Sequence, residues 1–398
     1  MKMAFLSIHS SPVGKAGGKD TGGMSTYLCG LSEALGAMGH KVDIFSRSAV
    51  TGAEGIHKMY PNVRLVSFDD GNGSLAKNDI YPHISLIAAE INRLCQQNQC
   101  SYDVIFSHYW LSGCVGEILK QNWQIPTLVM FHTLGRAKNE ACPEENEPSR
   151  RISEEENLAR NSDLIITAAR LEKERILNYY NLPPRKVEVI PCGIGRMLFK
   201  PLDRQKAKEQ IGLDSKKIIL AVGRIEPVKG FDFLIETTAL LPLRDDIKLV
   251  IVGGDEQSRD QVAALKEKAA SLGMEDRVQF TGRIDHQSLP LYYNAADVTV
   301  IPSYYESFAL TALESIACGT RIVGAPVGIL PEIFFRLPGG HPGCLITDRT
   351  PDLWATKIRE AIFRTEKISP AEIETLLFPF NWTGAAARLT GLIAGLRS

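Results

Sequence analysis

Residues 218–241 read IILAVGRIEPVKGFDFLIETTALL, and their order decides the fold. Ile218–Val222 is a short, unbroken apolar run, the signature of a strand covered on both faces in a parallel sheet. Gly223–Gly230 breaks it with two glycines and a proline, and Phe231–Leu241 follows as a helical segment. A strand that feeds a helix through a short loop is one half of a βαβ unit.

The same plan repeats outward. Leu249–Val252, Val278–Thr281, Val298–Ile301 and Arg321–Val323 are predicted strands, with predicted helices Arg259–Leu272, Gln287–Asn294 and Phe308–Ala317 between them. The first half offers strands Met3–His9, Val42–Phe45, Val63–Phe68, Val104–His108, Thr127–His132, Leu164–Thr167 and Val187–Ile190. Met24, Tyr27, Leu28, Leu31, Leu35 and Met38 recur at helical spacing, and Gly39 stops that helix. The 398 residues exceed the ~250–300 that one core supports. Gly193 and Gly195 interrupt the pattern near Pro191–Pro201. The expectation is therefore an α/β protein of two Rossmann-like, doubly wound domains, residues 1–195 and 196–377, facing across a cleft. Ligands bind such sheets at the carboxyl ends of the strands. The Glu-rich stretch Glu140–Glu156 reads as an exposed loop running into a helix.

Composition excludes several classes. Hydrophobic residues are 44% and charged residues 23% of the chain, and the net charge is -1, so no basic excess points to nucleic acid or to an anionic membrane. The opening MKMAFLSIHSSP has too short an apolar run for a signal peptide, and no segment reaches the ~20 apolar residues of a membrane span. The eight cysteines never form CxxC, which argues for reduced thiols rather than zinc or disulfides. A cytoplasmic protein is expected.

Three loops carry chemistry. Ser10–Gly23 holds Gly14, Gly17, Gly18, Gly22 and Gly23 ahead of a helix. It reads equally as a flexible turn and as an anion-binding loop at a helix start. It is not GxGxxG, so the dinucleotide fingerprint is absent. Gly223–Gly230 sets Arg224 and Lys229 five residues apart, a spacing suited to clamping a diphosphate. The third stretch, 302–314, reads PSYYESFALTALE. Glu306 precedes a helix that Ser307 is placed to cap, and Glu314 lies about two turns further on, at ~3.6 residues per turn. Glu314 stands in an apolar stretch, and a buried carboxylate needs partners.

The loop Gly223–Gly230 and the Glu306…Glu314 pair resemble the retaining GT-B glycosyltransferases of family 4. The likeness spans nearly the whole chain. Phe380-Asn381-Trp382 and the helix after them resemble that family's C-terminal segment, expected to return over residues 378–398 to the first domain. Gly22-Gly23-Met24, Ser107–Gly113 and Phe131–Asn139 resemble the branch that acts on inositol phosphate, with sucrose-phosphate synthases close by.

The resemblance implies a nucleotide-sugar donor, UDP-GlcNAc or UDP-glucose, and a small phosphorylated acceptor such as inositol phosphate. It places Gly22 and Gly23 by the donor phosphates, Arg224 and Lys229 on the diphosphate, and Arg283 at the base. Glu314 falls on the ribose, and Glu306 on the donor sugar with Ser307, Phe308, Ala309 and Leu310 beside it. His132 falls at the reaction centre. Ser25, Lys77, Tyr109, Thr133 and Arg151 or its neighbour Arg150 fall on the acceptor, where two cations and two hydroxyls suit a phosphate monoester. Removing Arg151 is thus expected to raise the acceptor KM far more than the donor KM. No DxD motif stands out for a metal. None is expected to be required, although a magnesium ion on the diphosphate is compatible with the reading. A homodimer stays open.

The chain departs from that branch at three places. Ser25 stands where Asn is common, Gly193-Ile194-Gly195 where Gly-Val-Asp is common, and Ala309 where Gly is common. Transfer to a hexose phosphate, transfer to a lipid or polysaccharide at a membrane, and a sensor without activity are the rival readings. The intact set Arg224, Lys229, Glu306 and Glu314 speaks against the last.

Overall fold

The computed structural model describes residues 1–12, 22–52, 54–73, 75–213, 217–242, 246–336, 342–364 and 367–397. Of the first glycine loop, Gly14, Gly17 and Gly18 lie outside them. The chain divides into two compact units. One comprises Met1–Ala137, Glu147–Gly193 and Phe380–Ser398; the other comprises Lys138–Asn146 and Ile194–Pro379.

The first unit is built on β1 (Lys2–Leu6), β2 (Lys41–Arg47), β3 (Gly55–Tyr60), β4 (Val63–Phe68), β5 (Val104–His108), β6 (Thr127–Met130), β7 (Leu164–Thr167) and β8 (Val187–Val189). They form one sheet in the order β3-β4-β2-β1-β5-β6-β7-β8. All pairings are parallel except β3 with β4. Met3, Ala4, Phe5 and Leu6 of the central β1 are wholly buried, as its unbroken apolar run requires. β1 is shorter than the expected Met3–His9. It ends at Leu6, and beyond it Ser7 still donates its N–H to the Phe45 carbonyl at 3.0 Å. The edge strand β3 was not read from the sequence. Gly-Ile-His-Lys-Met-Tyr is half exposed and lacks an apolar run, as suits an edge.

Helix Trp382–Arg397 belongs to this unit, and the Trp382 indole seats it. The ring packs edge-on against Tyr27 with centroids 5.7 Å apart. A Cβ on Gly30 would lie 2.2 Å from the indole, and one on Gly193 would lie 2.5 Å from the Trp382 nitrogen. Gly30 sits mid-helix in Gly23–Ala37, where alanine would ordinarily gain ~1 kcal/mol of helix propensity. The collision with a large, rigid ring outweighs that gain. Gly30→Ala is expected to destabilise by a net ~1–3 kcal/mol, read as a lowered midpoint in denaturant; an unchanged or raised midpoint would refute this packing.

The second unit carries β9 (Lys217–Val222), β10 (Ile247–Val252), β11 (Val278–Gly282), β12 (Val298–Ile301), β13 (Arg321–Gly324) and β14 (Gly343–Leu345). They form a parallel sheet in the order β11-β10-β9-β12-β13-β14. The order reverses between β9 and β12, the switch point where open α/β sheets bind ligands. β14 also escaped the sequence reading, since three residues are too few to show a period. A second correction concerns Ser307. The helix begins at Leu310, its N-cap is Ala309, and no side chain caps it. Ser307 lies two residues ahead of that cap, in the approaching loop.

Candidate active site

In the first unit the polypeptide leaves β5 at His108 and turns sharply at Tyr109, whose φ of 77° and ψ of 157° fall in a region that is essentially glycine's own. The Tyr109 N–H is fixed by the Met130 carbonyl at 2.8 Å. Two residues past β6, His132 also takes a positive φ of 60°. Positive φ at both of these adjacent strand ends is backbone strain that the surrounding structure must hold in place.

His108 and His132 meet there, Nδ1 to Nε2, at 3.0 Å. Tyr27 packs against both rings at centroid distances of 5.8 and 5.5 Å. Burial, then the neighbouring His132, holds His108 well below the usual imidazole range. His132 keeps some surface, but the protein around its ring pushes it down to about 3. Both rings are therefore neutral near pH 7 and serve as hydrogen-bonding groups, not as cations.

Imidazoles of the unfolded chain titrate near ~6.5, so the unfolded state binds more protons than the folded one between there and about 3. Stability is complete above the unfolded value and falls as the pH drops through that window. The thermal midpoint should be lower at pH 5 than at pH 7, and the drop should shrink in His132→Asn. An identical drop in both proteins would remove His132 from this account.

Beside the histidines lies a cationic socket. The Tyr109 hydroxyl is buried with no hydrogen-bond partner among the described residues. The Lys77 ammonium lies 5.6 Å and the Arg151 guanidinium 4.8 Å from the Tyr109 ring centre. Thr133 joins them through Arg151, which donates from Nη2 to its hydroxyl at 3.0 Å and to its carbonyl at 2.7 Å. Arg151 also donates from Nε to Glu155 at 2.7 Å and pairs through Nη1 with Glu147 at 2.8 Å. Four of its five N–H groups are thus engaged, and it is 1% exposed. Two carboxylates and a backbone carbonyl thus already engage the arginine that the resemblance places on the acceptor.

Arg150 is exposed and lies 4.9 Å from the Tyr81 ring, which stacks on Trp110 at 5.6 Å and donates to Glu154 at 2.6 Å. Ser25 donates to the Ser11 carbonyl at 3.1 Å. Gly22 is the exposed N-cap of the helix that Gly23 opens.

In the second unit the loops after β9 and β12 are zipped together. Tyr304 donates its N–H to the Val228 carbonyl at 2.8 Å. Gly230, at φ 66°, lets the first loop press on the second, since a Cβ there would lie 2.5 Å from the Pro302 oxygen. The Lys229 ammonium reaches Glu306 Oε1 at 2.7 Å, and the Ser303 hydroxyl donates to the same oxygen at 2.8 Å. Arg224 is half exposed and pairs with Glu226 at 2.6 Å.

The chain between the two segments of the first unit contributes here too. Glu145 accepts from the Val228 N–H at 2.9 Å and pairs with the buried Lys138 at 2.6 Å. So part of the Glu-rich stretch is a support for this loop, not a solvated face.

The Phe308 carbonyl accepts from the Ile329 N–H at 2.8 Å, and Ala309 turns at φ 73°, ψ 65° into the eight-residue helix Leu310–Ala317. The free N–H groups at that start favour anions. A left-handed alanine costs about 1–2 kcal/mol that glycine avoids. Ala309→Gly should therefore raise the thermal midpoint by the equivalent of ~1 kcal/mol, and a lowered midpoint would deny the strain.

Glu314 finds the partners its burial demands. Tyr293 donates to Oε2 at 2.6 Å, and His286 Nε2 lies 3.5 Å from Oε1. His286 was missed in the sequence because a single histidine in a loop carries no pattern. Arg283 stands exposed just past Gly282.

A cavity of about 550 Å³ lies at the opposite, amino-terminal ends of β1, β2 and β4, with Lys2, Lys41, Asp43 and Arg64 among its lining. None of the candidate site residues borders it, and the strained strand ends do not either, so the candidate site rests on side-chain and backbone geometry. Among the described residues no group of three or more His, Cys, Asp and Glu side chains could hold a metal, and no helix is long and apolar enough to cross a membrane.

Two α/β units, with cations and carboxylates gathered on the loops after their strands, define a glycosyltransferase of GT-B fold. The chain belongs to that family: residues 21–195 match Glycosyltransferase Family 4 and residues 203–368 match Glycosyl transferases group 1. It is 34% identical to the D-inositol 3-phosphate glycosyltransferase of Geodermatophilus obscurus over 92% of this chain and 84% of that protein. The enzyme of the same name from Mycolicibacterium gilvum is also 34% identical, over 90% and 81%. Among solved structures, the sucrose-phosphate synthase of Thermosynechococcus elongatus superposes with a TM-score of 0.87 at 28% identity, covering 99% and 98% of the two chains. The Anabaena HepE protein, solved with UDP-glucose, shares the fold at a TM-score of 0.73 and 21% identity, over 99% and 100%.

Proposed function

We propose that this glycosyltransferase moves a glucosyl or N-acetylglucosaminyl group from a UDP-sugar to a small phosphorylated polyol such as inositol phosphate, with retention at the anomeric carbon. The observation that carries the acceptor half is the buried, unpartnered Tyr109 hydroxyl with the Lys77 ammonium and Arg151 guanidinium over its ring. An orphaned buried hydroxyl is costly, and a phosphate oxygen would satisfy it while the Lys77 ammonium balances its charge. The naming of the relatives supports a phosphorylated polyol.

The donor half rests on Lys229, Arg224 and the helix start at Leu310, which suit a departing diphosphate. Glu306 and Glu314 are acceptors for sugar and ribose hydroxyls. The neutral His132 is a hydrogen-bond partner for the transferred sugar, and its depressed pKa excludes it as a cationic acid near pH 7. In a front-face substitution the leaving phosphate takes the acceptor's proton as the C–O bond to the diphosphate breaks and the new glycosidic bond forms. The protein's part is positioning and electrostatics.

A second reading has a specific basis. Ser25 replaces an amide expected to contact the polyol, and the likeness to a sucrose-phosphate synthase is strong, so the acceptor is alternatively a hexose phosphate. UDP release from UDP-GlcNAc and UDP-glucose, each with inositol 3-phosphate, fructose 6-phosphate, glucose 6-phosphate or no acceptor, separates the two. Acceleration by inositol 3-phosphate alone supports the first reading. Acceleration by a hexose phosphate alone replaces it with the second, and acceleration by none overturns both.

A further inference from the structure

Arg349 lies in the loop after β14 and belongs to none of the motifs above. Its guanidinium sits 3.6 Å from the Tyr304 ring centre, 4.8 Å from that of Phe233 and 5.9 Å from that of Trp354. It donates from Nη2 to the Pro302 carbonyl and from Nη1 to the Ser303 carbonyl at 3.4 Å. Its Nε is buried with no hydrogen-bond partner, and it forms no ion pair among the described residues. Burial accordingly lowers its pKa, with Tyr304 and Asp232 opposing.

Arg349 is half-buried in an aromatic cage, and the part of its charge withdrawn from water is costly to leave without a partner. What it holds explains its presence. Pro302 and Ser303 begin the loop that carries Glu306, and Ser303 and Lys229 share the Glu306 oxygen. The same Nη2 lies 2.9 Å from where a Cβ on Gly230 would be, so it also backs the Lys229 loop.

We propose that Arg349 is a positioning residue for the nucleotide-sugar half of the reaction. It fastens the Pro302–Glu306 loop against the Gly223–Gly230 loop, and its positive charge favours an anion bound by the two loops. This rests on the reading of those loops as the donor site. Lysine cannot replace it, because one ammonium cannot stack in the cage and reach two carbonyls as a planar fork does.

The test measures UDP binding by calorimetry, with donor and acceptor KM, for wild type, Lys229→Ala, Arg349→Lys and Arg349→Met, and thermal midpoints alongside. Expected are a UDP Kd and donor KM raised tenfold or more in both Arg349 variants, with acceptor KM within twofold of wild type. Arg349→Lys should fall between wild type and Arg349→Met in UDP binding, since it keeps the charge and loses the fork. If Arg349→Met fails to fold, Arg349→Lys and its donor-to-acceptor KM ratio decide the matter alone. Unchanged UDP binding in both variants, or equal changes in donor and acceptor KM, overturns the inference. UDP binding absent from wild type, or unaltered in Lys229→Ala, instead overturns the donor-site reading beneath it.

Discussion

Lys229→Ala is expected to lower turnover by a factor of ~10²–10³, equivalent to about 2.7–4 kcal/mol of transition-state stabilisation. The ammonium is fixed before any ligand arrives. It lies 2.7 Å from Glu306, both side chains are largely buried at 17% and 14% exposure, and the loop that presents it is anchored by Glu145 and Tyr304. On the proposed reading this charge is placed in advance where the diphosphate leaves and costs no reorganisation during the reaction, which is why one such donor would contribute so much. The fold should tolerate the change, because Glu306 keeps the Ser303 hydroxyl. Lys229→Arg should not restore the rate, since a fork and a point charge place their donors differently. Turnover within twofold of wild type in Lys229→Ala would remove the clamp from the account.

Arg151→Met should act on the fold before it acts on catalysis. The substitution strands Glu155, whose side chain is 0% exposed, without its counter-ion, and takes one partner from Glu147. Breaking a buried ion pair from one side costs about 3–5 kcal/mol, a large part of the ~5–15 kcal/mol that holds a typical protein folded. Glu155 keeps two hydrogen bonds from the Gly135 N–H, at 2.9 and 3.2 Å to its two oxygens, so the loss belongs nearer the lower figure. Adding Glu155→Gln should recover part of it, because the second change removes the stranded charge. A midpoint unchanged from wild type, with only the acceptor KM raised, would return Arg151 to the role of a plain ligand cation.

The sequence disclosed the fold where strands are largely buried and rich in apolar and β-branched residues. Val63–Phe68, Val104–His108, Leu164–Thr167 and Val298–Ile301 stand in the structure with the bounds read from the sequence. It was silent where a strand is half exposed or very short, as in β3 and β14. The apolar residues around Glu314 also foretold that it is buried among partners, whereas the contact of Lys229 with Glu306 spans 77 residues and no local pattern announced it.

Other features depend on distance in the chain. Nothing near Tyr304 announces Arg349, and nothing near Val228 announces Glu145. His108 acquires its meaning only when the sheet sets β5 beside β6 and brings His132 to 3.0 Å. The engagement of Arg151 by Glu147 and Glu155 is at helical spacing and was open to inspection. It was overlooked because a cation beside a proposed phosphate site invites a ligand reading first. The left-handed Ala309 is a case of the reverse kind, a departure visible in sequence whose cost appears only with its backbone angle.

The measurement that bears most directly on the central claim compares UDP release from one donor, UDP-GlcNAc or UDP-glucose, with inositol 3-phosphate and with unphosphorylated inositol as acceptors. A site built of the Tyr109 hydroxyl and the Lys77 ammonium predicts strong acceleration by the phosphorylated acceptor and little by inositol, with the difference reduced in Tyr109→Phe. Equal acceleration by both acceptors, or a phosphate preference untouched by Tyr109→Phe, would contradict the assignment of that site to the acceptor's phosphate.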